Sequence, residues 1–261
     1  MNAVRRTKCA VAMAMVLGAT AACGGFGAKV HSAASPPGGQ SKGKAARIDP
    51  RAQAVVLSEK QLNVVAFSDK DFPLLERAPR NDHTGVLSTR YKANAGGPAC
   101  TTFLNAQLTS GFYYHGLHEV DKGYTFTTAD GGVQLTSAAI SYSSVREADR
   151  VINDARTSIR HCSNLRYRLR NYLFSFEEIA SLPIPLTGDD STAFQESWRL
   201  NGGKAQPWAT ELIRVGTVVV SVNTVGSYDP TGILRQTGKR AAAQIRHEEE
   251  RAANAATRRT G

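Results

Sequence analysis

The chain is poor in the residues that build metal and redox centres. Only 4 of its 261 residues are cysteine, no two of them form a CxxC pair, and no HExxH, P-loop or GxGxxG pattern occurs. Zinc ribbons, zinc proteases, nucleotide-phosphate loops and dinucleotide folds therefore have no support. Long apolar runs are missing as well. The one uncharged apolar stretch at the N-terminus, residues 9–20, is too short to cross a bilayer, which takes about 20 residues in a helix. Acid is scarce relative to base, with 22 Asp and Glu against 32 Lys and Arg, a net charge of +10. That balance favours anionic surfaces without defining a site.

What is present begins with an address. Arg5, Arg6 and Lys8 precede the apolar run, which ends in the small residues Ala21 and Ala22. Positive, apolar and small in that order is a secretory signal peptide, so residues 1–22 are expected to be removed on export. Cys23 follows directly. Thr20-Ala21-Ala22-Cys23 resembles the lipobox of bacterial lipoproteins, with Thr20 in place of the usual aliphatic residue. The resemblance implies acylation of Cys23, with palmitate-type chains, and anchoring on the extracytoplasmic face of the cell membrane. Loss of the leader lowers the net charge to +7. Residues 23–54 are rich in Gly, Ser, Ala, Pro and Lys/Arg and bury too little to offset their ordering entropy, so they read as a lipid-anchored flexible linker.

Two cysteines remain, Cys100 and Cys162. In an oxidising compartment they are expected to form a disulfide, which would close a loop of 62 residues and stabilise the fold by about 4 kcal/mol. Free thiols or a metal site are the alternatives, and no ligand spacing supports a metal.

The domain proper is expected over 55–247. Ser58 and Gln61 form a capping-box pattern for a first helix continuing to Phe67, and Cys100, Phe103, Leu104 and Leu108 space a short second helix. Residues 111–120 read as a strand, Asp121-Lys122-Gly123 as a turn and Asp130-Gly131-Gly132 as a hairpin. The clearest helix follows. Ser144 and Glu147 mark its start, and Val145, Ala148, Ile152, Ala155, Ile159 and Cys162 step along one stripe. Residues 165–179 alternate as a single strand with Arg166, Arg168 and Arg170 on one face. Val218–Val222 is apolar on both faces, as a central strand is. Asp229-Pro230 starts a last helix, and residues 248–261 read as a fraying basic tail. Hairpin-linked strands interrupted by helices argue an α+β fold: a twisted, mainly antiparallel sheet with helices on one side, in a single domain after a disordered tether.

In this arrangement the chain resembles the extracellular sensor-domain family of mycobacterial PknH-type receptor kinases, which also occurs as free-standing actinobacterial lipoproteins. The resemblance is carried by Cys100 before its helix, Ile140-Ser141-Tyr142 before the helix from Ser144, Pro185-Leu186 with Gly188-Asp189-Asp190, and Arg214-Val215-Gly216-Thr217-Val218-Val219-Val220. It implies a twisted sheet with a cleft that binds a ligand. The kinase sensors carry a second disulfide, for which this chain has no cysteines.

Function follows from the absence of a catalytic constellation and from that resemblance. His115 and His118 fall on opposite faces of the expected strand. Glu177-Glu178 and Asp189-Asp190 are adjacent pairs whose side chains diverge. No catalytic residue, metal or cofactor is therefore assigned. The reading is a non-catalytic, surface-anchored, sensor-like ligand-binding module, expected to be monomeric. It would bind an unknown small molecule or cell-envelope component, and not nucleic acid. Tyr113, Tyr114, Tyr142, Phe174, Phe176, Trp198 and Trp208 would line a cleft or, more plainly, fill the core. The alternative is an envelope interaction or structural protein docking a protein or an anionic wall polymer through the basic Arg166-Arg168-Arg170 face.

Overall fold

Alternation along the strands decides how this protein is layered. The computed structural model describes residues 55–66, 76–77, 84–85, 91–109, 113–128, 131–226 and 230–260. The leader, Cys23 and the linker lie outside them. Among the described residues four helices, α1 (Glu59–Val65), α2 (Gly97–Gln107), α3 (Val145–Ile159) and α4 (Pro230–Thr260), accompany nine strands. Two of these are two-residue pieces, β1 (Glu76–Arg77) and β2 (Thr84–Gly85), both paired to β3. The long ones are β3 (His118–Thr128), β4 (Gly131–Ser141), β5 (Leu165–Leu169), β6 (Tyr172–Ser181), β7 (Asp190–Leu200), β8 (Gln206–Val215) and β9 (Val218–Val225). Their spatial order is β3-β4-β9-β8-β7-β6-β5, antiparallel at every step.

The α+β class and the antiparallel sheet are as expected, but the helices cover both faces. On β9, Val219 and Val225 join a core with Ile140, Leu212, Phe194 and the buried stripes of α2 and α3. Val218, Val220 and Val222 join a second core with Ile213, Leu135, Leu62 of α1 and Leu234, Ala241, Ala242 and Ile245 of α4. A strand apolar on both faces needs a layer on each. The first face is stapled: Cys100 and Cys162 form the expected disulfide, with Cα atoms 5.0 Å apart, joining the start of α2 to the turn just past α3.

Local chemistry accounts for the helix starts. The Ser58 amide donates to Gln61 Oε1 at 3.1 Å, and the Glu147 amide donates to Ser144 Oγ at 3.3 Å. Elsewhere the sequence reading needs correction. Asp121-Lys122-Gly123 is not a turn but the middle of β3, paired to Ala138, Ser137 and Thr136. An eleven-residue partner strand outweighs a weak turn signal. The strand expected from residue 111 begins only at His118, and His115 sits in a preceding turn with φ +57°. Residues 165–179 are two strands, β5 and β6, reversed at Arg170-Asn171, where Arg170 takes φ +55°. Finally, α4 does not fray after His247 but runs to Thr260, through residues that are mostly strong helix formers.

Candidate functional site

Three of the four stretches that carried the family resemblance meet at one end of the sheet, where their chemistry is structural, while Cys100 is tied past the far end of α3. Asp189 donates its amide to the Arg214 carbonyl at 2.8 Å, and its Oδ2 accepts the Gly216 amide at 2.8 Å, clamping the β8–β9 turn. Arg214, 5% exposed, contacts Asp149 of α3 at 2.6 Å and Asp189 at 3.3 Å, while Arg246 of α4 reaches Asp189 at 3.3 Å. Asp190 holds Arg156 of α3 at 2.6 Å. Gly188, at φ +71°, lies where a Cβ would meet the Arg214 carbonyl oxygen at 2.5 Å, so glycine is required there. Asp189 and Arg214 together thus link helices from both layers to one strand end. Burial and Asp189 push the Glu249 carboxyl up to about 7, against the pull of Arg246 and Arg214. The adjacent aspartates are therefore ion-paired and not merely solvated.

A different assembly occupies the α2–α3 face. Phe174 and Phe176 of β6, Tyr167 of β5 and Trp198 of β7 alternate inward and stack across the sheet, with Tyr167 and Phe174 centroids 4.8 Å apart and their planes 11° from parallel. Trp208, the register partner of Glu196, meets Trp198 edge-on at 5.8 Å. Beside these rings runs a polar row. Trp208 Nε1 donates to Thr210 Oγ1 at 3.0 Å, Thr210 Oγ1 to Asn223 Oδ1 at 2.7 Å, and Asn223 Nδ2 to Thr136 Oγ1 at 3.1 Å. Register places Glu196 next in this row, and the Gln107 side-chain amide, at the end of α2, donates to its Oε1.

This row is incompletely satisfied. Glu196 is 4% exposed and Gln107 1%, yet Glu196 Oε2, Gln107 Oε1 and Trp198 Nε1 have no hydrogen-bond partner among the described residues. Burial pushes the Glu196 carboxyl well up, opposed by the Gln107 hydrogen bond; among the described residues no cation offsets it. Buried polar groups left this way cost about 1–3 kcal/mol each unless something outside the protein pairs them. The sequence reading named the rings of this site but missed Glu196, Gln107, Thr210 and Asn223. Polar residues on the alternating face of β7 look like any solvent-facing positions until register sets them beneath α2.

Two shallow clefts open along the sheet. One, of about 350 Å³, lies where Gln195, Ser197, Ala209 and Thr224 meet the start of α4 at Pro230; the strand segments of Glu196 and Trp208 also border it. The other, of about 410 Å³, lies by Gly96, Asn164, Arg166 and Ser175. Arg166 and Arg168 are exposed on β5, but Arg170 is in the turn, so the expected triplet is a pair. Glu177 pairs with Arg199 at 3.3 Å, and Glu178 sits at a bulge with φ +58°. Tyr113 and Tyr114 lie in the turn before β3, not on a strand, and Tyr142 is buried. His115 and His118 stay apart, one in that turn and the other opening β3. Among the described residues no three His, Cys, Asp or Glu side chains gather as a metal site would require. A G-x-S-x-G at Gly39–Gly43 escaped the sequence reading; it lies outside the described residues, in linker composition.

Comparison with known proteins agrees with the motif reading. The family model described as "PknH-like extracellular domain" matches residues 50–248. Among solved structures, the extracellular domain of PknH from Mycobacterium tuberculosis is similar at 15% identity and a TM-score of 0.49, covering 76% of this chain and 99% of that one. A putative uncharacterised protein from Mycobacterium smegmatis, an Rv0999 orthologue, is similar at 9% identity and a TM-score of 0.33, over 69% of this chain and 84% of that one. No curated protein matches.

Proposed function

This chain belongs to the PknH-like extracellular domain family, and on that premise we propose that it is a non-catalytic, sensor-like module that captures a ligand outside the cytoplasm. Export by the leader over 1–22, acylation at Cys23 and a tether over 23–54 would hold the domain at the extracytoplasmic face of the membrane, as a monomer. The observation that carries ligand capture is the polar row on the α2–α3 face. Buried polar groups, an indole N–H among them, stand without partners among the described residues beside stacked aromatic rings, the usual makeup of a small-molecule site: apolar walls with a few placed polar groups. Native mass spectrometry of the full chain purified from its own envelope tests this. A retained small molecule is expected, and repeated recovery of unliganded protein would oppose capture. A Cys23→Ala variant is expected to leave the membrane fraction; if it stays, the anchor lies elsewhere.

One observation favours a second reading. Arg166 and Arg168 project from the sheet edge, on a face where α4 packs chiefly on β8 and β9. In that reading the edge docks an anionic wall polymer. Retention on a polyphosphate matrix that is unchanged in Arg166→Ser/Arg168→Ser protein would remove it.

A further inference from the structure

Among the described residues no cation meets the Glu196 carboxyl group. Its face of the sheet is shared with Trp198, two residues along β7, and with Trp208 and Thr210 on β8. From α2 it receives only the neutral Gln107 amide. The α3 side chains turned to this core are Ala148, Val151, Ile152, Ala155 and Ile159. Across β6, Phe176 intervenes before Tyr167 on β5, which is packed in turn on Tyr91. Neither tyrosine supplies a positive charge. The Tyr167 hydroxyl is itself pushed up by burial, Tyr91 and Glu196.

The open valences of the row have a definite polarity. Gln107 Oε1 is an acceptor, and Glu196 Oε2 becomes one when the carboxyl is ionised. They are linked, because the Gln107 amide already donates to the other Glu196 oxygen. Two open acceptors, one of them able to carry charge, call for a ligand rich in N–H donors and positive. The neighbouring walls are indole and phenyl rings, whose faces attract organic cations. Trp208 is only partly buried, so the row reaches the surface at that ring.

We propose that Glu196 and Gln107, flanked by Trp198 and Trp208, form a binding site for a small organic ammonium ion, Glu196 supplying the countercharge and Gln107 a second acceptor. This rests on the capture reading above and names the chemistry of its ligand. Binding is an exchange. The ammonium enters with its own charge, the neutral Glu196 carboxyl releases one proton to solvent, and the ion pair that forms is neutral overall. Affinity therefore rises about tenfold per pH unit below the Glu196 titration and levels off above it. Tyr167, its hydroxyl pushed up by burial, stays protonated and adds no slope.

The chain reports on its own site, since it has 2 tryptophans, Trp198 and Trp208. Full-length protein is titrated with n-propylammonium, following tryptophan emission at several pH values, with n-propanol and propionate as matched probes. The expected result is a saturable change with n-propylammonium alone, tightening with pH, and a proton release seen as buffer-dependent heat in calorimetry. Glu196→Gln, isosteric with the neutral acid and so expected to fold, should weaken it about tenfold or more and abolish the pH slope. Gln107→Met should weaken it but keep the slope. Silence toward n-propylammonium, an equal response to n-propanol, or unchanged binding in Glu196→Gln overturns the proposal; the row is then closed by Glu196's own proton or by water. If native mass spectrometry finds a neutral or anionic ligand while these arms are silent, the ammonium site falls and capture stands. If both are empty, both fall.

Discussion

Each face of the sheet buries a glutamate near its centre, Glu196 on one and Glu211 on the other, and the two faces treat it differently. Glu196 of β7 looks toward α2 and α3, beside an amide, hydroxyls and two indoles. Glu211 of β8 is 1% exposed, looks toward α4, and lies among Ile213, Leu234 and Ala241. Neither Glu211 oxygen has a formed hydrogen bond, and burial pushes the group up to about 7, with nearby Thr187 offsetting a little of that. The distinction is mechanical. Gly238 lets α4 lie directly on Glu211: a Cβ there would collide with Glu211 Oε2 and approach Ile213 Cδ1 at 2.8 Å. One acid is sealed by a helix pressed onto it, and the other sits in a polar seam with valences to spare. A buried charge alone does not mark a site; what surrounds it does.

The comparison breaks most visibly through its staple. Cys100→Ser/Cys162→Ser should cost about 2–5 kcal/mol in urea unfolding, by freeing the α2–α3 layer that roofs Glu196. If stability changed by less than 1 kcal/mol, as a rough threshold, the disulfide would not be what holds that layer. On the other face the corresponding damage is overpacking. Gly238→Val should lose about 1–3 kcal/mol, and Glu211→Ala in the same chain should recover part of it, because the two share one contact.

Next in size is a pH effect peculiar to the sealed acid. Glu211 is raised from an ordinary carboxyl value to about 7, so folding favours its neutral form. Its contribution is whole below about pH 4.5 and is lost as pH rises through 7, a span of about 3 kcal/mol. Glu211→Gln should flatten the fall in stability between those values; a curve as steep as the parent's would show that Glu211 is not its source. The smallest effect expected is at the start of α3, where Ser144→Ala should cost about 1 kcal/mol by exposing the Glu147 amide.

How much of this could be read beforehand depended on the range of the interaction. Ser58, Ser144 and Pro230 act within a turn, so the starts of α1, α3 and α4 were legible. So was the doubly buried β9, because Val218–Val222 carries its two environments in its own alternation. The pairing of Cys100 with Cys162 followed from counting and compartment. What stayed hidden was set by partners distant in the chain. Asp121-Lys122-Gly123 became strand because β4 pairs along its whole length. Arg170-Asn171 turned the chain without glycine, at a cost that only the β5–β6 pairing offsets. The site suffered most: Gln107 and Glu196 are 89 residues apart, and nothing local to either tells of the other.

The difference between the two acids can be watched directly by carboxyl-carbon NMR, with glutamate labelled and Glu196→Gln and Glu211→Gln used for assignment. Titrated with and without n-propylammonium, Glu196 should ionise at a lower pH when the ammonium is present, while Glu211 keeps its titration near 7. If Glu196 stays unmoved, or if both carboxyls shift together, the α2–α3 face is as closed as the other, and the distinction drawn between them is wrong.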